Sequence, residues 1–183
     1  VTTDLGGLPP QQARRVIRRA LVRQDLPLPS EAVCDEILRV SVSARGDSQP
    51  LVQWGGVEAR RSGEMLWFMP ALPSVDTLWK ADWDGHSECT LPAGCGVLRG
   101  GAIDGEWQIR RADYSDEIVE PGRPRKRLGR WCQERAIAPW ARTRMPVILR
   151  DGRICCVGSV VIEPELAPSD FQWIHQIAGV PSA

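Results

Sequence analysis

Histidine is almost missing from this 183-residue chain, which carries only His86 and His175. His175 has no serine or cysteine partner suggested by spacing, so no nucleophile and base pair is encoded in recognisable form. His86, Cys89 and Cys95 give the only hint of metal spacing. Without a fourth ligand or a Cys-x-x-Cys pair, no metal is expected. Net charge is missing too, since 23 Lys/Arg balance 23 Asp/Glu, so any attraction for a charged partner must be local. No apolar run approaches the roughly 18–20 residues that span a bilayer. With no signal peptide ahead of the first helix, the chain is expected to be soluble and cytoplasmic. The six cysteines are an even number, yet a chain of this length with 43% apolar residues buries a core without disulfide staples.

What is abundant is tryptophan, eight residues against one tyrosine and two phenylalanines. Exposed indoles can stack on splayed bases, but Trp54, Trp67, Trp107 and Trp173 sit in alternating patterns that place them in a core. Trp131 falls on the apolar side of a helical pattern. Trp140, between a proline and two arginines, fits either a core anchor or a stacking platform.

Positive charge is abundant in one place. Arg123, Arg125, Lys126, Arg127, Arg130, Arg135, Arg142 and Arg144 face a single acid, Glu134, within residues 123–144. At about 100° per residue Leu128, Trp131 and Cys132 share one face and Lys126, Arg127, Arg130 and Glu134 the other, which predicts a basic amphipathic helix. Pro139 ends it and Pro146 leads into 147–150, then Asp151-Gly152, then 153–157, a strong hairpin signal. The acids Asp113, Asp116, Glu117 and Glu120 just upstream read as a solvated loop. A run of this kind is either a solvated face or a surface for polyanions such as RNA.

Period and punctuation give the organisation. Pro9-Pro10 precede Ala13, Val16, Ile17, Ala20 and Leu21, a helical stripe with the arginines mostly off it. Ser30 caps a second helix reaching about Ser43, with Glu31 in its first turn. A loop at 45–50 leads to strand-like 51–54 and 57–61, then a turn at Ser62-Gly63-Glu64 into 65–69. Prolines between 70 and 75 mark a linker. Short segments around Trp79, Trp83, Val97-Leu98 and 107–110 follow. The fold class expected is α+β: a helical middle domain with a short β-hairpin over 1–72, then a small β-rich C-terminal domain with an inserted basic helix over 73–183.

The order of these blocks resembles a known family. Ala138-Pro139-Trp140-Ala141-Arg142, Met145-Pro146, the Asp-Gly hairpin and Phe171-Gln172-Trp173 are similar to the C-terminal domain of tRNA(Ile)-lysidine synthetase. Residues 8–44, the stretch Val52-Gln53-Trp54-Gly55-Gly56-Val57-Glu58-Ala59-Arg60-Arg61 and Leu91-Pro92-Ala93-Gly94-Cys95-Gly96-Val97-Leu98 resemble its middle domain and connecting segment. Thr143 stands where that family usually has an acid, and Gly129 where it usually has a lysine.

The resemblance implies an enzyme that uses ATP to join lysine to C2 of the wobble cytidine of tRNA(Ile) with a CAU anticodon. It implies that tRNA phosphates are the partners of Arg125, Lys126, Arg127, Arg130, Arg142 and Arg144, with Arg14, Arg15, Arg18, Arg60 and Arg61 as a second surface. Trp140 is expected to pack under its turn and hold Arg142 and Arg144 outward. The Ser-Gly-Gly-x-Asp-Ser loop of the family's N-terminal ATP-pyrophosphatase domain does not occur here. The nearest glycine-rich stretch, 100–105, reads as a turn. The chain is therefore expected to bind tRNA without being catalytic alone, to bind no DNA, membrane or cofactor itself, and to work with a separate N-terminal domain that handles ATP and magnesium. The alternatives are an autonomous enzyme, for which no site is visible, and a non-enzymatic adapter whose basic face docks on an acidic protein.

Overall fold

The structure, a computed structural model, describes residues 5, 7–43, 49–76, 78–101, 105–167 and 170–179. Most of the loop expected at 45–50, and residues 102–104 of the glycine-rich stretch, lie outside the described residues. The chain divides into two compact units, Val1–Leu72 and Pro73–Ala183. It is α+β, with strands far outnumbering helices.

The first unit holds α1 (Pro10–Val22), α2 (Glu31–Ser43), β1 (Leu51–Trp54), β2 (Val57–Ser62) and β3 (Met65–Pro70). Proline at the first helical position starts α1 without losing a hydrogen bond, because that N–H has no intrahelical partner. Its apolar stripe, Ala13, Ile17, Ala20 and Leu21, is buried. The Val33 N–H donates to Ser30 Oγ at 3.4 Å, the capping contact that opens α2. Ile17, Leu21, Cys34 and Ile37 pack with Val52, Val57 and Ala59 into one core.

This unit is not a helical domain with a hairpin appended. Its sheet is a three-stranded antiparallel meander in the order β1-β2-β3. Gly63, at φ +59°, turns the chain in a conformation that glycine adopts freely. β3 then pairs with β2 along its whole length, from Ser62 opposite Met65 to Val57 opposite Pro70.

The second unit comprises β4 (Lys80–Trp83), β5 (Cys89–Thr90), β6 (Val97–Gly100), β7 (Trp107–Arg111), β8 (Glu117–Ile118), β9 (Lys126–Arg127), α3 (Leu128–Glu134), α4 (Pro139–Arg142), β10 (Pro146–Arg150), β11 (Arg153–Val157), β12 (Val160–Val161) and β13 (Phe171–Ile174). A five-stranded antiparallel sheet runs β12-β11-β10-β7-β4, and a three-stranded one β13-β6-β5. Trp107 from the first meets Phe171 from the second edge-on at 5.1 Å, and Trp83 approaches the same ring at 5.8 Å. This aromatic contact joins the two sheets, and Trp107 and Phe171 are almost fully buried. Asp151 and Gly152, both at positive φ, form the two-residue turn between β10 and β11.

The basic helix starts later than its charge pattern implied. Lys126 and Arg127 form β9 and pair antiparallel with Glu117 and Ile118 of β8. Strand pairing therefore wins over the amphipathic pattern for those two residues. Of the three cations expected on the helix, Lys126, Arg127 and Arg130, Arg130 alone lies on α3, whose buried face is Leu128, Trp131 and Cys132.

Candidate nucleic-acid interface

The β8–β9 pairing decides the electrostatics of the basic segment. It folds the upstream acids back onto the downstream cations. Arg125 Nη1 lies 2.9 Å from Glu117 Oε2. Lys126 Nζ lies 2.8 Å from Glu134 Oε2 and 3.4 Å from Glu120 Oε2. Arg130 Nε meets the other oxygen of Glu134 at 3.1 Å, and Arg135 Nη2 meets Glu120 Oε1 at 2.6 Å. Asp116 takes both ends of the Arg110 fork at 2.7 and 2.8 Å. Asp116, Glu117 and Glu120 are thus counter-ions built into the fold, while Asp113 stays exposed and accepts from Ser115. The Lys126 ammonium, and after it the Arg130 guanidinium, holds the Glu134 carboxyl below the usual carboxylate range.

The six primary candidates consequently divide. Arg127 is exposed and has no carboxylate partner among the described residues. Arg125 and Arg130 are exposed but ion-paired. Lys126 is largely covered. Arg142 is half-buried and its Nε donates to the Ile137 carbonyl at 2.7 Å. Arg144 is 8% exposed. Its Nη1 donates to the Trp140 carbonyl at 2.9 Å and its Nη2 to the Pro73 carbonyl at 2.6 Å.

The expectation that the turn holds Arg144 outward is therefore corrected. The guanidinium is held inward by backbone acceptors that the turn itself presents. Trp140 beneath it is 3% exposed and donates from Nε1 to the Ala178 carbonyl at 2.8 Å, so it is a core anchor. Gly129 packs under Tyr114, and a Cβ there would lie 3.3 Å from the Tyr114 carbonyl oxygen. A side chain at that position needs Tyr114 to give by a few tenths of an ångström.

On the first unit, Arg14 is clamped by Asp35 through two 2.7 Å hydrogen bonds. Arg60 Nε lies 2.6 Å from Glu58, whose side chain is fully buried. Arg61 Nε donates to the Gly63 carbonyl at 2.9 Å, and as the strand neighbour of Arg60 it points to the opposite face. Arg18 is exposed with one contact to the Pro29 carbonyl. The five secondary candidates do not form one surface.

Two residues missed in the sequence reading do extend one. Arg15, Arg19 and Arg23 follow one another at four-residue spacing along α1 and its C-cap, all exposed and without a carboxylate partner among the described residues. Residues so spaced are neighbours on a helix face, roughly 5–6 Å apart at Cβ. The four-residue spacing that signals this face is present in the sequence.

Other chemistry is sparse. Among the described residues no group of three or more His, Cys, Asp or Glu could hold a metal. All six cysteines are free. Burial pushes the Cys132 thiol up to about 11. His175 stacks on Trp173 with ring centres 4.0 Å apart, accepts from the Ile177 N–H, and has its pKa lowered by burial. A shallow groove of about 290 Å³ bounded by Trp79, Lys80 and Arg111 has the Arg110–Asp116 pair in its wall.

Family models match two stretches of the chain, the TilS substrate binding domain at residues 2–67 and the TilS substrate C-terminal domain at residues 107–174. Both carry one family's name, and together they span well over half of the sequence. The chain belongs to the TilS family. It is 29% identical to a tRNA(Ile)-lysidine synthase from Methylococcus capsulatus across 95% of this chain and 40% of that protein. It is 28% identical to one from Xanthomonas campestris pv. campestris across 81% of the chain and 34% of the relative. A third, from Salmonella choleraesuis, is 28% identical across 88% of the chain and 40% of the relative. The chain therefore spans about two fifths or less of the length of these curated relatives. The TilS substrate-binding match includes α1 with its arginine stripe, and the TilS C-terminal match runs from β7 to β13 across the basic segment. No helix among the described residues is long and apolar enough to cross a membrane.

Proposed function

We propose that this chain is the tRNA-recognition portion of a tRNA(Ile)-lysidine synthase, the partner being tRNA(Ile) with a CAU anticodon. The observation that supports it most is the co-occurrence of both TilS domain matches with two cationic surfaces, one on each matched segment. On α1 the surface is Arg15, Arg19 and Arg23, with Arg18 beside them. In the second unit it is Arg127 with the ion-paired Arg125, Lys126 and Arg130. Guanidinium forks match phosphate geometry, and each neutralised phosphate releases condensed counterions. A-form stems hide their base edges in a deep, narrow major groove, so recognition by backbone and shape suits surface arginines.

In this reading the ligation of lysine to C2 of the wobble cytidine, with its ATP and magnesium, belongs to an ATP-pyrophosphatase domain of the complete enzyme. The work proceeds in the cytoplasm. The residues described here bind and orient; none is assigned a step of the bond-forming chemistry. Arg142 contributes at most one face of its half-buried guanidinium, and Arg144, Arg60 and Arg14 contribute to the fold.

Fluorescence-detected titration with tRNA(Ile) tests the proposal, with competition by polyglutamate of matched charge. Saturable binding is expected that tRNA displaces and polyglutamate does not, and that weakens in an Arg15→Ala, Arg19→Ala double variant. Equal displacement by polyglutamate would favour the adapter reading, and saturable binding of ATP alone would favour an autonomous enzyme.

A further inference from the structure

Two cations of the second unit converge on one point of space, and a carboxylate of the same chain occupies it. Glu134 presents one oxygen to Lys126 Nζ at 2.8 Å and the other to Arg130 Nε at 3.1 Å. That is the geometry in which two cationic side chains grip one oxyanion through separate oxygens. Lys126 is held by its surroundings, only 15% exposed at the side chain, so its ammonium is already in place when a ligand arrives. Arg130, at 76%, reaches in from solvent.

The two glutamates near Lys126 differ in how firmly they are fixed. Glu120 is 12% exposed and also holds Arg135 at 2.6 Å. Arg135 lies over the buried Trp131 ring at 4.0 Å, so Glu120 is tied into the packing of α3. Glu134 is 40% exposed and is the last residue of α3. The partial negative charge at a helix C-terminus disfavours an anion there. Among the described residues its hydrogen-bond partners are the two cations it bridges. It is the carboxylate that can leave.

We propose that Lys126 and Arg130 form a phosphate seat which Glu134 fills in the absence of RNA, acting as an internal anion that a backbone phosphate must displace. The proposal rests on the tRNA-binding reading above. Glu134 then sets the affinity of this surface downward: it keeps the two cations converged on one point, and every phosphate that enters must first break two ion pairs, one to the exposed Arg130 and one to the largely covered Lys126. Neutralising a surface carboxylate, which ordinarily does little, here leaves two neighbouring cations without the anion they share.

The test is tRNA titration of the parent chain, Glu134→Gln, Glu88→Gln and the double variant Lys126→Ala, Glu134→Gln beside Lys126→Ala. Glu88, just ahead of β5, is a matched control, half-exposed and paired with Arg99 of β6 at 2.7 Å, and its loss changes net charge equally. Glu134→Gln is expected to tighten binding about two- to fivefold, the range that exposed ion pairs span. Glu88→Gln should leave it unchanged, and the gain should vanish when Lys126 is already alanine. An equal gain from Glu88→Gln, or a gain that survives without Lys126, would mean general charge and overturn the seat. Unchanged or weaker binding by Glu134→Gln overturns it as well, with circular dichroism of each variant showing that α3 is retained. Binding by neither the parent nor Glu134→Gln removes the tRNA reading together with the seat, whereas equal binding by both removes the seat alone.

Discussion

Replacing Arg144 with alanine separates a structural arginine from a ligand-binding one. The side chain is 8% exposed and donates at 2.9 Å to the Trp140 carbonyl and at 2.6 Å to the Pro73 carbonyl. Hydrogen bonds to charged groups contribute about 1.5–3 kcal/mol each. Pro73 is exposed, so water can replace the guanidinium there and part of that contribution is recovered. The Trp140 carbonyl sits on a buried residue and is compensated less. A loss of about 2–4 kcal/mol follows, and at roughly 4–8 °C per kcal/mol for a unit of this size the midpoint should fall by roughly 8–32 °C. Thermal melting by circular dichroism reads it. Because the guanidinium faces inward, the salt dependence of tRNA binding measured in the cold should be unchanged. Arg127→Ala should do the reverse, melting within about 0.5 kcal/mol of the parent while flattening the log-affinity versus log-salt slope by about 0.7–0.9. An Arg144→Ala protein that melts like the parent and loses slope would show that Arg144 contacts RNA and that the inward geometry is wrong.

Other substitutions probe other parts of the fold. Trp140→Ala should cost about 3–5 kcal/mol, the usual loss for a buried aromatic, because it also frees the Ala178 carbonyl; an unchanged melting point with lost RNA binding would make it a stacking platform. Arg60→Ala strands the fully buried Glu58 and should cost about 3 kcal/mol, the low end for a broken buried pair, since Gln53 still reaches Glu58 at 3.3 Å; Glu58→Gln in the same chain should recover much of the loss in a denaturant titration. With its thiol pushed up to about 11, Cys132 is only about 0.1% thiolate at pH 8, so it and the still more buried Cys156 should resist alkylation in the folded chain. Rapid native labelling of either, seen by mass spectrometry, would contradict their burial.

Local signals were legible where one short segment carries its own instruction. The Pro9-Pro10 start and the Ala13, Ile17, Ala20, Leu21 stripe give α1, Ser30 gives the start of α2, and Asp151-Gly152 gives the β10–β11 turn. Trp107, Trp131 and Trp173 are buried as their patterns imply, while Trp54 and Trp67 are only half-buried. What could not be read was the state of each charge. A run of cations counted along the chain takes no account of Glu117 and Glu120, which arrive only through the β8–β9 pairing. The same pairing turns Lys126 and Arg127 from helix into strand. Arg144 looks like any other arginine until the carbonyls of Trp140 and Pro73 are placed around it. The α1 stripe is the opposite case, fully encoded in the four-residue spacing of Arg15, Arg19 and Arg23.

The most direct measurement is the affinity of this chain for tRNA(Ile) between 50 and 200 mM salt, an interval over which about six phosphate contacts would lower affinity on the order of a thousandfold. Saturable binding is expected, with log affinity falling linearly against log salt at a slope of several contacts and flattening when Arg15, Arg19 and Arg127 are removed together. Binding that is absent at the lowest salt, or that holds the same slope after those three arginines are gone, would contradict the assignment of this chain to tRNA recognition through these surfaces.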